Sequence, residues 1–133
     1  MAAACFRGLI YFALVFSLAF VTGAARGLVV EPRLGAATAV LLEVPVLILA
    51  SWIMARRLLR DGALTMPQCA MMGATAFALT MGAEAALSAI MRGQGLGEWA
   101  AAVASPLGLV GLAGQIAFGL MPMFFATTRD IRA

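Results

Sequence analysis

Histidine, lysine and asparagine do not occur in this chain, and cysteine appears only at Cys5 and Cys69 of its 133 residues. Without histidine there is no imidazole for general base work or for the common zinc and copper sites. Two cysteines outside a CxxC pair build neither a disulfide framework nor a metal cluster, and both are read as structural thiols. Charge is scarce as well, at 11% of residues against about 25% in an average soluble domain. With 64% of residues hydrophobic, a water-soluble fold would expose apolar patches large enough to aggregate. These deficits exclude a soluble enzyme built on ordinary acid–base or metal chemistry, and they point to lipid as the surrounding medium.

What remains is four long apolar runs bounded by arginine or by turn residues. They cover about 8–25, 34–55, 66–91 and 106–126. Each is long enough for a bilayer core about 30 Å thick, which takes about 20 helical residues. Thr65 and Pro67 mark the start of the third run as a cap and a first-turn proline. The last apolar stretch runs from Trp99 to Thr128, and Ser105-Pro106 divides it. A short interfacial segment is expected over about 99–104, with Trp99 at headgroup depth. No apolar–polar alternation appears, so barrel strands are not expected. Arg7 ahead of the first run and Thr22-Gly23-Ala24 at its end resemble a signal peptide, but the run is long for one and is read as a retained helix.

All nine basic residues are arginines, and they lie between the apolar runs rather than in one basic patch, so nucleic acid is not expected as a partner. Arg7, Arg56, Arg57, Arg60, Arg129 and Arg132 fall on one side of the implied topology, and Arg26, Arg33 and Arg92 on the other. The richer side is expected to be cytoplasmic, with both termini there.

Polar groups within the runs carry the functional question, because they are costly in hydrocarbon. Counted from the side of the first and third loops, Ser17, Glu43, Glu84 and Gln115 lie at depths of about 10–14 Å. Each helix thus offers one polar side chain to a common layer. Two carboxylates at one depth in a low dielectric would not both ionise, and such a pair could hold a proton or a cation. The alternative reading is structural, with the carboxylates neutral and bonded to Ser17, Gln115 or a free carbonyl, or paired with Arg26 or Arg33. The structural reading is preferred. Pro45 is expected to kink the second helix and to free the carbonyl of Leu41 beside Glu43. On the third helix, Ala70, Ala74, Ala78, Gly82 and Ala86 form a small-residue stripe suited to close helix packing. Thr80, Glu84 and Ser88 form a second stripe roughly opposite, expected to face the interior. Gly108, Gly111, Gly114 and Gly119 offer close packing on the fourth helix. Frequent methionine is read as apolar filler, and no metal or cofactor is expected.

The stretch Arg26-Gly27, Glu31-Pro32-Arg33-Leu34-Gly35, Glu43-Val44-Pro45 and Ser51-Trp52 to Arg56 resembles uncharacterised small bacterial inner-membrane proteins. The resemblance covers the first half of the chain. It implies a bacterial origin and four spans, with no activity to carry over. Small multidrug carriers are similar in size, but their essential first-helix glutamate has no counterpart here.

The fold expected is an all-α integral membrane protein, one domain over 1–133, forming a compact four-helix transmembrane bundle with short loops and antiparallel neighbours. The function expected is a non-catalytic accessory or structural subunit of a larger membrane assembly. The alternative is a small proton- or cation-coupled carrier or channel using Glu43 and Glu84. An enzyme is not expected. The partners expected are the lipid bilayer and other membrane subunits, or a second copy of the chain.

Overall fold

The computed structural model describes residues 1–130. Arg132, counted above on the arginine-rich side, lies outside the described residues, as does the side chain of Arg129. The described chain is helical, with no strand, and four of its helices are long and apolar enough to cross a membrane. Helix α1 spans Ala2–Ala25 and continues through a π-helical turn, Arg26–Val30, into α2, Glu31–Leu34. Helix α3 spans Ala36–Leu58, α4 Met66–Arg92, α5 Leu96–Val103 and α6 Pro106–Asp130.

The first connection differs from expectation. Apolar runs ending at residue 25 and resuming at 34 predict a loop over 26–33, yet the helix runs unbroken from Ala2 to Leu34, 33 residues or about 50 Å. Pro32 explains the form of this extension. Its ring would crowd the carbonyl four residues back, at Leu28. The widened turn at Arg26–Val30 falls there, and the Glu31 N–H reaches back to the Arg26 carbonyl. The true break is Gly35, whose φ of 82° suits glycine and ends the helix in one residue.

The other boundaries follow local chemistry. Thr65 donates its N–H to Gln68 Oε1 at 2.9 Å, half of a capping box, with Pro67 in the first turn of α4. Gly93, at φ 65°, ends α4, and Gln94 N–H bonds back to the Ser88 carbonyl at 3.3 Å. Helix α5 begins three residues before the interfacial segment expected at 99–104, because the Glu98 carboxylate accepts the Gly95 N–H at 2.9 Å and starts the helix there. The Ser105 hydroxyl accepts the Gly108 N–H at 3.0 Å and caps α6.

The four long helices form a ring in the order α1, α3, α6, α4, each packed on the next and α4 closing on α1. Helices α1 and α3 are antiparallel, since Tyr11 meets Ser51 and Thr22 meets Glu43. Helices α4 and α6 are antiparallel, since Gly73 meets Gly119 and Glu84 meets Gln115. The two hairpins then pack side by side in parallel. Gly8 and Met72 meet at the same distance from the N-termini of α1 and α4, and Val44 and Gly114 at the same distance from those of α3 and α6. The expectation that every neighbour would be antiparallel is therefore corrected. Helices α3 and α4, consecutive in sequence, lie on a diagonal and make no backbone contact. The short turn at 59–65 carries the chain across that diagonal instead of closing a hairpin.

Small residues set the helix separations. A Cβ on Gly8 would stand 2.7 Å from the Met72 carbonyl oxygen and 2.9 Å from Thr75 Cβ, so α1 lies backbone-close to α4. A Cβ on Gly73 would drive into the Gly119 carbonyl, so α4 and α6 touch backbone to backbone. Around these contacts Tyr11, Met72, Cys69, Ala76 and Phe118 are buried. The buried face of α4 is thus Cys69, Met72, Gly73, Ala76, Thr80 and Ser88. The small-residue stripe expected to pack lies elsewhere: Ala74, Ala78, Gly82 and Ala86 are exposed, and Ala70 is half-buried. The chain chose the face with Gly73, where backbones can meet, and where Thr80 and Ser88 find helical or turn acceptors.

Tyr11 ties three helices together. Its ring stacks on Phe118 at 4.5 Å, and its hydroxyl lies 3.1 Å from the Phe118 carbonyl and 3.3 Å from that of Ser51. The Phe118 carbonyl needs this donor. Pro122, four residues on and fully buried, has no N–H to give it.

At the arginine-rich end, Arg7 clamps the turn after α3. Its Nη1 donates to the Leu58 carbonyl at 2.6 Å and to Asp61 Oδ1 at 2.8 Å, and its Nη2 pairs with Asp61 Oδ2. The Arg7 guanidinium, with help from the Ala63 N–H, holds the Asp61 carboxyl well below the usual carboxylate range. A carboxyl depressed on folding stabilises fully above its unfolded value of about 3.9 and loses that contribution as pH falls through its folded value. The unfolding midpoint of detergent-solubilised protein is therefore expected to be insensitive to this pair from neutral pH down to about pH 5, and to drop below about pH 4. Asp61→Asn should flatten the acid limb. Parallel acid limbs in the variant and the parent would mean that the clamp does not contribute.

Candidate functional site

The two glutamates within the long apolar runs, Glu43 and Glu84, sit in separate polar clusters, one in each hairpin. In the α1–α3 hairpin, Glu43 receives the Thr22 hydroxyl at 3.0 Å and lies 2.8 Å from Arg26 Nε. The Glu43 side chain is 15% exposed and that of Arg26 32%, so the charge pair is only partly screened. The buried Arg26 N–H is not aimed along that contact and finds no better-aligned acceptor among the described residues. The attraction is therefore coulombic rather than a directed hydrogen bond. Gly23 lies beside the carboxylate, where a Cβ would make an ordinary contact of 3.6 Å with Glu43 Oε1. Arg26 reaches Glu43 because it opens the π-helical turn, so the helix still carries it past Ala25 towards α3.

In the α4–α6 hairpin, Gln115 donates its amide to Glu84 at 2.5 Å. Glu84 is half-buried and has a neutral partner, unlike Glu43. The two carboxylates sit on the diagonal helices α3 and α4, which share no backbone contact, but they lie within electrostatic reach of one another. Arg92, at the end of α4, also reaches Glu84 electrostatically.

The residues expected to share one layer are thus not all brought together. Ser17 is exposed and donates to the Ala13 carbonyl of its own helix at 2.6 Å, apart from both glutamates. Pro45 lies on the exposed side of an uninterrupted α3. Thr22 was missed because threonine near a helix end reads as an ordinary boundary residue. Its spacing four residues before Arg26 was the available signal, since it puts both on one face. Neither carboxylate lines the two grooves at the opposite end, around Arg56, Arg57 and Arg60.

Chemically, each cluster satisfies one carboxylate within its hairpin. The first neutralises a charge with a charge, and the second holds a carboxyl with an amide that can donate to it or, after rotation, accept from it. No protein-family model, curated protein or solved structure matches the chain.

Proposed function

We propose that this chain is an integral protein of the bacterial inner membrane, spanning it four times with both termini cytoplasmic. In this reading it is a non-catalytic accessory or structural subunit of a larger membrane assembly. Four helices of sufficient length and apolarity support the membrane reading, and the arginine distribution supports the orientation. The resemblance of the first half to small bacterial inner-membrane proteins supports the compartment.

The observation that carries the subunit reading is the outward face of α4. Ala74, Ala78, Gly82 and Ala86 lie exposed at four-residue spacing, and nothing stands within 4 Å of a Cβ built on Gly82. In lipid such a stripe lets another transmembrane helix approach closely. The occupant proposed is one apolar helix of a partner subunit. The test is extraction in mild detergent followed by native sizing. The parent chain is expected to run as part of a larger complex, and Ala78→Leu/Gly82→Leu to run as a folded monomer. A parent that runs alone, or a variant that stays in the complex, overturns this reading.

A carrier remains the second reading, favoured by one observation: Glu84 is held by a neutral amide and not by a cation. It requires that Glu84→Gln abolish a proton-coupled flux in liposomes while the bundle stays folded.

A further inference from the structure

Two grooves open at the arginine-rich end, of about 500 and 700 Å³, and they share a wall. Arg57 and Arg60 line both. The first groove is completed by Trp52, Ile53 and Arg56, the second by Phe6, Ile10 and Leu58 together with the Arg7–Asp61 ion pair, in which the Asp61 charge is matched by Arg7. Each groove therefore has an arginine rim and an apolar wall reaching one to two turns deeper along the helices. Phe6, Trp52 and Ile53 are exposed, so the apolar wall is open at the surface.

The cations at this rim differ in what they already hold. Arg7 is engaged by Asp61 and the Leu58 carbonyl, and Arg56 lies over the Trp52 ring at 5.3 Å. Arg57 and Arg60 are exposed and carry no ion pair among the described residues. Arg57 is in the last turn of α3 and Arg60 in the turn that follows, where its N–H bonds back to the Arg57 carbonyl at 3.4 Å. Both guanidinium groups therefore start from one tight turn and line the same two grooves, where one phosphodiester can accept from both. Charge at the rim and apolar surface below it match the two ends of a phospholipid.

We propose that Arg57 and Arg60 bind the phosphodiester headgroup of an anionic phospholipid, whose acyl chains lie along the apolar walls of the two grooves. The site rests on the membrane reading above, and it goes beyond that reading in naming a ligand class and a place. Preference for the anionic lipid comes from the paired guanidinium groups, and a free phosphate lacks the chains that the grooves receive.

The test uses the full-length chain with Trp99→Phe, leaving Trp52 as the reporter beside the first groove. It is reconstituted in phosphatidylcholine vesicles containing a minor fraction of brominated lipid. Brominated phosphatidylglycerol is expected to quench Trp52 at a mole fraction about tenfold lower than brominated phosphatidylcholine. Arg57→Ala/Arg60→Ala should erase that preference while brominated phosphatidylcholine still quenches, which shows that the variant is inserted. Arg60→Gln alone should weaken the preference and serves if the double variant does not fold. Inorganic phosphate should not displace the lipid. Equal quenching by the two lipids overturns the lipid site alone, as does a preference that survives both variants. Displacement by inorganic phosphate identifies a free-anion site and overturns it too. Absence of quenching by either lipid overturns the membrane reading, and the lipid site with it.

Discussion

Gly73→Leu is expected to abolish the assembled bundle. Even the methyl group of Gly73→Ala would meet the Gly119 carbonyl, a backbone atom that cannot swing aside as a side chain can. Overpacking in a close-packed interior costs about 1–3 kcal/mol where neighbours can shift, and more where backbone must move. Alanine should therefore fall at or above the top of that range, and leucine should force α4 and α6 apart. Gly111→Ala, on the facing helix α6, is the matched control, because a Cβ there meets nothing within 4 Å and the residue lies off the docking face of α4. Its expected effect is a gain of up to about 1 kcal/mol from helix propensity. Titration with a denaturing detergent, followed by circular dichroism and by native sizing, reads both variants. A Gly73→Leu protein as resistant as the parent would mean that α4 and α6 do not approach backbone to backbone.

Tyr11 carries the second large effect. Tyr11→Ala removes a fully buried ring stacked on Phe118 and should cost about 3–5 kcal/mol, as for other buried aromatics. Tyr11→Phe isolates the hydroxyl. It strands the Phe118 carbonyl, which Pro122 already deprives of its helical donor, so about 1–3 kcal/mol is expected. The test is a double-mutant cycle. Pro122→Ala returns an N–H to the Phe118 carbonyl, so in that background Tyr11→Phe should cost less by about 1 kcal/mol or more. The cavity left by Pro122→Ala is common to both arms and cancels. Equal costs in the two backgrounds would show that the hydroxyl does not replace the missing helical donor.

This proline–tyrosine exchange illustrates what the sequence made legible. Four apolar runs between arginines mark four long helices, because run length shows how much helix lies in apolar surroundings, whereas the ends fall at Gly35, Thr65 and Gly93 rather than at the charges. The same reasoning about a freed carbonyl was applied to Pro45, which is exposed, and not to Pro122, which is buried. One-dimensional pattern does not tell which proline faces the core. The α4 stripe failed for a related reason. Ala70, Ala74, Ala78, Gly82 and Ala86 and the face containing Gly73 and Ala76 are both rich in small residues, and only the partner's Gly119 decides between them. In the candidate site, equal counting from helix ends picked out Glu84 and Gln115, which lie in one antiparallel hairpin. It also picked out Ser17, whose azimuth on α1 turns it outward. Depth is countable along a sequence, whereas azimuth depends on which helix lies beside which. The ring order was hidden for that reason, since loop length alone favours pairing α3 with α4, and the structure sets them diagonally.

That ring order has an electrostatic consequence. In a bundle whose neighbours all alternate in direction, the partial charges at helix ends form a checkerboard, and their fields cancel within a few ångströms. Here the N-termini of α1 and α4 share one edge of the arginine-rich end, and the C-termini of α3 and α6 share the other. Each terminus carries roughly half a charge, so the end bears a lateral gradient, and the far end bears its reverse. Arg56 and Arg57, in the last turn of α3, sit over the negative edge. A second bundle laid flank to flank would meet fields of opposite sign at its two extremities, and only one of its two senses of alignment would be favoured by both.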